Sequence, residues 1–416
     1  MVQSNNARRH MIRIGLAAVL SCASLLGACT AQVGLPADDS KVVRYPIALA
    51  ASPAGDHLYV LGANFDRSFR SGVLRVVTTQ DDTYVPGVQL EVPGFGSSLA
   101  LQLTGDVTPT VQRIFVTARE DDSLTAVDVT GPTQLGCGKP DENGRCDSAH
   151  RLASPDSYPL GNDPLDAHLA VGPDGRLLMH VVATSDGKVT ILDLSGEATG
   201  TTAGVPHELD SLNLGAGLSA SATSPWTGRT YVSDTRAPSL HVYRMEATGD
   251  AASPLRAVRE PSIALPSAGV TDFGRDVVLS SDGSKAYVAL RSPNSVVVVD
   301  IAPTRQGPAR NVVVDVLGVG AQPAQLAVAP VGPEGRDLVF VSCYGEDTVW
   351  VLDPALRSTV AVIPFDYAPY ALATVDVPGK GWQLYAALFN HHDIAVVPIG
   401  LSAVGRFTAI HNVKAP

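Results

Sequence analysis

The chain has 416 residues, 41 acidic against 30 basic side chains, and a formal charge of −11 at neutral pH. So acidic a protein is a poor partner for nucleic acid or for anionic lipid headgroups, and both are set aside. After residue 28 no apolar run reaches the roughly 20 residues of a membrane-spanning helix, while the length is ample for a large core.

Residues 1–28 carry the three parts of a secretory signal: Arg8, Arg9 and Arg13 as a basic leader, an apolar stretch at 14–26, and the small Gly27 and Ala28 before Cys29. The sequence LGAC at 26–29 resembles the lipobox of bacterial lipoproteins. That resemblance implies thioether lipidation of Cys29, cleavage before it and N-acylation. Two or more acyl chains make release from a bilayer slow, whereas one holds only marginally, so an acylated Cys29 would be a lasting tether. Thr30, where retained lipoproteins carry aspartate, implies on the same resemblance the outer membrane of a bacterial envelope, facing the periplasm or the cell surface. Residues 29–40 then read as lipidated N-terminus and linker, and 41–416 as a single folded domain.

Repetition dominates the rest of the chain. The clearest copies are HLAVGPDGRLLMHVVATSDGKVTILDL from His168, DVVLSSDGSKAYVALRSPNSVVVVDI from Asp276 and LAVAPVGPEGRDLVFVSCYGEDTVWVLD from Leu326, with weaker ones beginning at Leu49, Gln112, Ser221 and Leu372. Each reads as a short apolar strand, a Pro/Ser/Asp/Gly turn, a strand with a central large residue, a polar turn, and a third strand. The central residues are Tyr59, Phe115, Leu178, Tyr231, Tyr287, Phe340 and Tyr385. A further segment after each third strand supplies a fourth. Seven such units with no helical period predict an all-β, seven-bladed β-propeller of four-stranded antiparallel blades, the first strand of each near the axis and the fourth at the rim. A sheet apolar on both faces must stack, and a closed ring leaves no sticky end. Two segments compete for the last outer strand, KVVRY at 41–45 and RFTAI at 406–410, and the first is preferred because it leads directly into blade 1.

Cys137 and Cys146 flank a Gly/Pro/Asp-rich excursion and are expected to form a local disulfide in an oxidising compartment, leaving Cys343 unpaired and buried. Asp128, Asp193, Asp300 and Asp353 end third strands, where carboxylates accept backbone bonds in the next turn. His391, His392 and Asp393 are the candidate metal set, set against the plainer reading of a polar turn, since adjacent side chains on a strand point apart. His57, His168, His180 and His207 read as lying in separate blades. Asp141, Asn143 and Asp147 alternate oxygen donors without the spacing of a calcium loop. Loops meet at the openings of a propeller, so residues 64–72, the disulfide excursion and residues 233–238 are candidate docking loops, with Arg67, Arg70 and Arg236 as points for an anionic partner.

The strand GSKAYVAL followed by NSVVVVDI, with Tyr287, Val288, Asn294, Val296 and Asp300 in place, resembles the YVTN-type repeat of YncE-like secreted and surface propellers. The chain departs from that pattern at Ala289-Leu290, Ser233-Asp234 and Ser342-Cys343, where the family often has Thr-Asn. No haem-attachment, nucleophile-elbow, phosphate-loop or metalloprotease motif is present, and no cofactor is expected. The sequence therefore points to a membrane-tethered module that binds or scaffolds an envelope protein, peptide or glycan. The alternative is a propeller enzyme or redox accessory subunit with its site at the central funnel, for which three or more His, Asp or Glu side chains should meet around the axis.

Overall fold

The computed structural model describes residues 35–37, 42–105, 108–131, 133–139, 141, 146–154, 159–195, 206–251, 253–267, 273–304, 308–400 and 410–415. Cys29, the signal and most of the linker lie outside the described residues, as does Asn143. Chain contacts separate a unit of Met1–Pro36 from one of Ala37–Pro416, and the ring lies in the second.

Seven antiparallel sheets with their strands in sequence order make the seven blades, six of four strands and one, blade 2, of five because its outer strand is in two pieces. Their first strands are Pro46–Ala51, Gly96–Thr104, Pro164–Val171, Leu218–Thr223, Gly274–Leu279, Pro323–Ala329 and Pro369–Val377. Every one carries a bulge or register irregularity within its first few residues. A bulge leaves a backbone group out of the ladder and re-aims the side chains beside it, here at the channel end of the strand.

The core is not one mass but seven apolar layers, one between each pair of neighbouring blades. Tyr59 and Leu61 of blade 1 meet Val116 of blade 2, and the last layer joins Tyr385 and Val396 of blade 7 to Leu58 and Val60 of blade 1. The other five lie between successive blades in the same way. Both faces of each blade are thereby dry, which is the physical reason that the sheets close into a ring.

Ring closure differs from the sequence preference. Residues 42–45 form no strand; the backbone amide of Tyr45 instead donates to Nδ1 of His392, and its carbonyl accepts from Ala63. The outer strand of blade 7 is His411–Asn412, just beyond the competing C-terminal segment. Lys414 then bridges in parallel to Thr83, at the start of the outer strand of blade 1. Asp82 completes this seam by accepting from Tyr385 Oη at 2.7 Å, from His411 Nε2 at 2.9 Å and from Lys380 Nζ at 3.1 Å. The C-terminus therefore staples blade 7 to blade 1 without a shared blade.

The disulfide joins Cys137 to Cys146 as expected, and Cys343 is free and fully buried. The excursion splits the outer strand of blade 2 into Gln134–Gly136 and Arg151–Ala153, both paired to the third strand. Asp147 organises it by accepting from the amides of Ala149 and His150 and bonding the His150 ring, whose other nitrogen bonds Asp128. Of the recurrent acids, Asp193, Asp300 and Asp353 accept amide bonds from the turns that follow them. All four also pair with arginines: Arg113, Arg176, Arg310 and Arg336.

Candidate functional site at the channel mouth

The strand registers align all seven blades at the axis. Opposite the central residue of each second strand stands a residue of the first: Ala50 faces Tyr59, Ala100 faces Phe115, Ala222 faces Tyr231, Val278 faces Tyr287, Ala327 faces Phe340 and Ala373 faces Tyr385. In blade 3 the equivalent pair is His168 and His180. The central position is therefore His180 rather than Leu178, and His168 and His180 are cross-strand partners in one blade whose outer strand also begins at His207, so of the four histidines expected in separate blades only His57 lies elsewhere. Hydropathy favoured Leu178; the register, set by the bulge, decides otherwise.

The rings of His168 and His180 stack with centroids 4.9 Å apart, and His180 Nδ1 meets Tyr243 Oη of blade 4 at 2.6 Å. Ser221 donates to Asp166, so His168 Nδ1–H donates to Ser221 Oγ, and the far nitrogen accepts from Thr223. Burial pushes the His168 ring down to about 4, and burial together with the neighbouring His168 holds His180 well below the ordinary histidine value. Two neutral rings thus fill the space that a small residue and an aromatic fill elsewhere.

Nearer the channel end, the first strands hold one another by side-chain bonds to the next blade's backbone. Ser98 accepts from the amide of Ala167, Asp166 from Ser221 and Asp276 from Leu326, one equivalent position in blades 2, 3 and 5. Ser97 and Ser219 donate to the carbonyls of Pro164 and Gly274. Burial deep in the ring pushes Asp166 up to about 6 and Asp276 up to about 7, the second also through repulsion from the first.

Above this girdle a cavity of about 410 Å³ opens at the end of the ring where second strands turn into third strands. Its lining is uneven. Phe65, Tyr370 and Phe389 contribute from blades 1 and 7, and Arg119, Arg275 and Arg291 from blades 2 and 5. Small residues such as Ala48, Gly96, Ala220 and Ala324 line the space between them. Phe65 and Phe389 meet edge to face at 5.3 Å, with Tyr370 5.8 Å from Phe389. Arg119 pairs with Asp163, and Arg291 Nε donates to the Pro323 carbonyl at 3.1 Å.

The loop at residues 64–72 reaches this mouth, but through Phe65. Asn64, at φ 52°, clamps the loop by bonding both the amide and the carbonyl of Phe69. Arg67 lies over the Phe95 ring, Arg70 is bonded to Glu91, and Arg236 is exposed on its turn; none of the three lines the cavity. The disulfide excursion sits at the outer edge of blade 2 and contributes nothing to it either. His391 stacks on Tyr367, His392 accepts from Tyr45, and Asp393 accepts from Asn412, so the turn sends its three side chains to different partners. Among the described residues no group of three His, Cys, Asp or Glu side chains is placed to hold a metal ion. His57 pairs with Asp56, and His207 lies 3.9 Å from Asp193, both away from the axis.

Sequence reasoning missed Phe65, Arg119, Arg275, Arg291, Tyr370 and Phe389. A signal existed for two of them. Aligned by strand start, the second residues of the seven first strands are Ile47, Ser97, Leu165, Ser219, Arg275, Ala324 and Tyr370, a position at which no residue type dominates.

No family model matches the chain, and no curated protein sequence matches it. Solved structures do match. The hydrazine synthase of Kuenenia stuttgartiensis superposes with a TM-score of 0.59 at 16% identity, over 89% of this chain and 99% of that one. The Swd1 β-propeller domain of Myceliophthora thermophila gives 0.56 at 10%, over 86% and 99%. The periplasmic gluconolactonase of Pseudomonas aeruginosa gives 0.50 at 17%, over 89% of each chain. At these identities the likeness is one of fold alone.

Proposed function

We propose that this protein is a binding module whose site is the channel mouth, a YVTN-type propeller tethered through acylated Cys29 to the outer membrane of a bacterial envelope. The observation that carries this reading is where the repeat breaks down. Opposite the central aromatic an alanine recurs in five blades and a valine stands in a sixth, a regularity that stacking requires. At the mouth, the blades contribute arginines, aromatics and small residues in no repeating order. A ring that needed only to stack would gain nothing from three guanidiniums and an aromatic wall around one cavity. The lining offers recognition groups rather than a ligating set, which supports binding over turnover.

Two measurements test the two halves of this reading. Intact-mass analysis of protein taken from membranes of its native host is expected to show a triacylated N-terminal Cys29; an unmodified chain in the soluble fraction overturns the tether. Substituting Phe65 and Arg275 together is expected to abolish capture of the native ligand from envelope extract without changing the melting temperature by more than about 2 °C, because neither side chain belongs to an interblade layer. Unchanged capture overturns the site.

A further inference from the structure

The two walls of the mouth differ in chemistry, and the difference specifies a ligand. On one side Phe65, 38% exposed at the tip of a clamped loop, continues into Phe389 and Tyr370. An aromatic surface of this kind takes a flat, weakly polar face rather than an anion. Across from it, in blade 5, stand Arg275 and Arg291, with Arg119 beside it in blade 2, three of only 30 Lys and Arg residues in an acidic chain. A guanidinium presents donors in a planar fork that matches a carboxylate, and its attraction is strongest where walls exclude water. Between the walls, Ser97, Ser98, Ser219, Gln325, Asp166 and Asp276 mix donors and acceptors at short intervals.

One chemical class satisfies all three features. A pyranose ring bearing a carboxylate has an apolar face of C–H groups, an edge of alternating hydroxyls and a single planar anion. The cavity, about 410 Å³, lies in the range of small-molecule sites and is too small for a folded partner to enter. An acidic peptide would use the arginines, but its carboxylate side chains bring no ring face to the aromatic wall. Resting on the assignment of the mouth as the binding site, we infer that it takes a uronic acid, the terminal residue of an acidic glycan, with its ring against Phe65 and Phe389 and its carboxylate toward Arg275.

The full-length protein, titrated calorimetrically with glucuronate and galacturonate, is expected to bind at least one of them roughly tenfold or more tightly than glucose, the discrimination that one charge-assisted pair supplies. Phe65→Ala and Arg275→Gln are each expected to weaken uronate binding about tenfold, with Arg275→Lys recovering part of the loss because it restores charge without the fork. Phe65→Ala removes an exposed side chain, so it reads the site even where an arginine variant fails to fold. Uronates binding no better than glucose would overturn the ligand class. If a triglutamate peptide then bound in a manner sensitive to Phe65→Ala, the mouth would stand as a site and the saccharide would fall. If neither anion class bound and both variants left capture from envelope extract unchanged, the assignment of the mouth would fall with it.

Discussion

The polar clusters in two of the interblade layers are built in opposite ways. Between blades 3 and 4 the centre is a pair of neutral rings, stacked His168 and His180, bonded to Ser221, Thr223 and Tyr243, with the buried Asp166 carboxyl accepting from Ser221. Between blades 7 and 1 the centre is a charge, Asp82, reached by a tyrosine, a lysine and a histidine at the edge of the ring. The first layer lies between consecutive blades that the chain brings together in any case. The second must hold the two ends of the chain, and it uses an ion with several donors where solvent can reach Lys380 and His411. Neutral rings suit an interior that hydrates a charge poorly, where burial also pushes the Asp166 carboxyl up to about 6, and an ionic cluster suits a rim that solvent reaches.

The sharpest way to break the comparison is at His180, whose side chain is almost wholly buried. His180→Ala should cost about 3 kcal/mol in chemical denaturation, from the cavity it leaves and the lost Tyr243 bond. The double variant His168→Ala/His180→Phe, which restores the alanine-plus-aromatic pairing of five other blades, should return to within about 1 kcal/mol of the parent. A double variant no better than its worse single parent would show that the stacked pair is not a volume substitution.

At the seam, Asp82→Ala should cost about 2 kcal/mol, because Lys380 and His411 can turn to water while the buried Tyr385 hydroxyl loses its acceptor. Amide exchange at His411–Asn412 should accelerate in that variant and stay unchanged in His180→Ala. Equal exchange in both would dissolve the distinction between the layers.

Acid separates the layers further. The folded His168 value, about 4, lies below that of an unfolded histidine, so the unfolded chain binds more protons between about 6.5 and 4, and this layer loses stability as pH falls through that window. Asp166, pushed up to about 6, acts with the opposite sign: its contribution is complete below the unfolded aspartate value and fades as pH rises through about 6. At the seam, burial alone would raise Asp82, but its bonds to Tyr385, His411 and Lys380 outweigh that and hold it below the ordinary value. Its contribution persists down to the unfolded aspartate range and is lost below it. Denaturant midpoints at pH 7 and pH 5 should therefore fall less in His168→Ala/His180→Phe than in the parent, and by a similar amount in Asp82→Ala and the parent.

The smallest effect is expected at the rim. Replacing Cys137 and Cys146 by serine opens a loop with a sequence separation of only 9, worth about 2 kcal/mol or less, and it should leave both unusual layers and uronate binding untouched. A larger loss, or a changed affinity, would tie the excursion to the ring more closely than its place at the edge of blade 2 implies.

The seven blades, their four-stranded make-up and the local disulfide were legible in the chain because each depends on neighbours in sequence: alternation, turn residues and nearby cysteines. The loop that carries Phe65 was legible too, as a long polar interruption, though attention fell on Arg67 and Arg70. Those arginines look available in a linear chain; only folding brings Phe95 under one and Glu91 against the other. The closing strand was misplaced for a similar reason. Both residues 41–45 and the C-terminal segment read as strands, direct entry into blade 1 favoured the first, and the choice depends on Asp82, some 330 residues before the tail it bonds.

Period and turn chemistry, which act over a few residues, thus determine that this chain is a propeller and how many blades it has. The mouth is of another kind. Phe65, Arg119, Arg275 and Phe389 stand far apart in sequence and carry no common motif, and they share one cavity only because seven bulged first strands converge on one axis. Convergence of that sort is a property of the closed ring, so the site exists only in the tertiary structure.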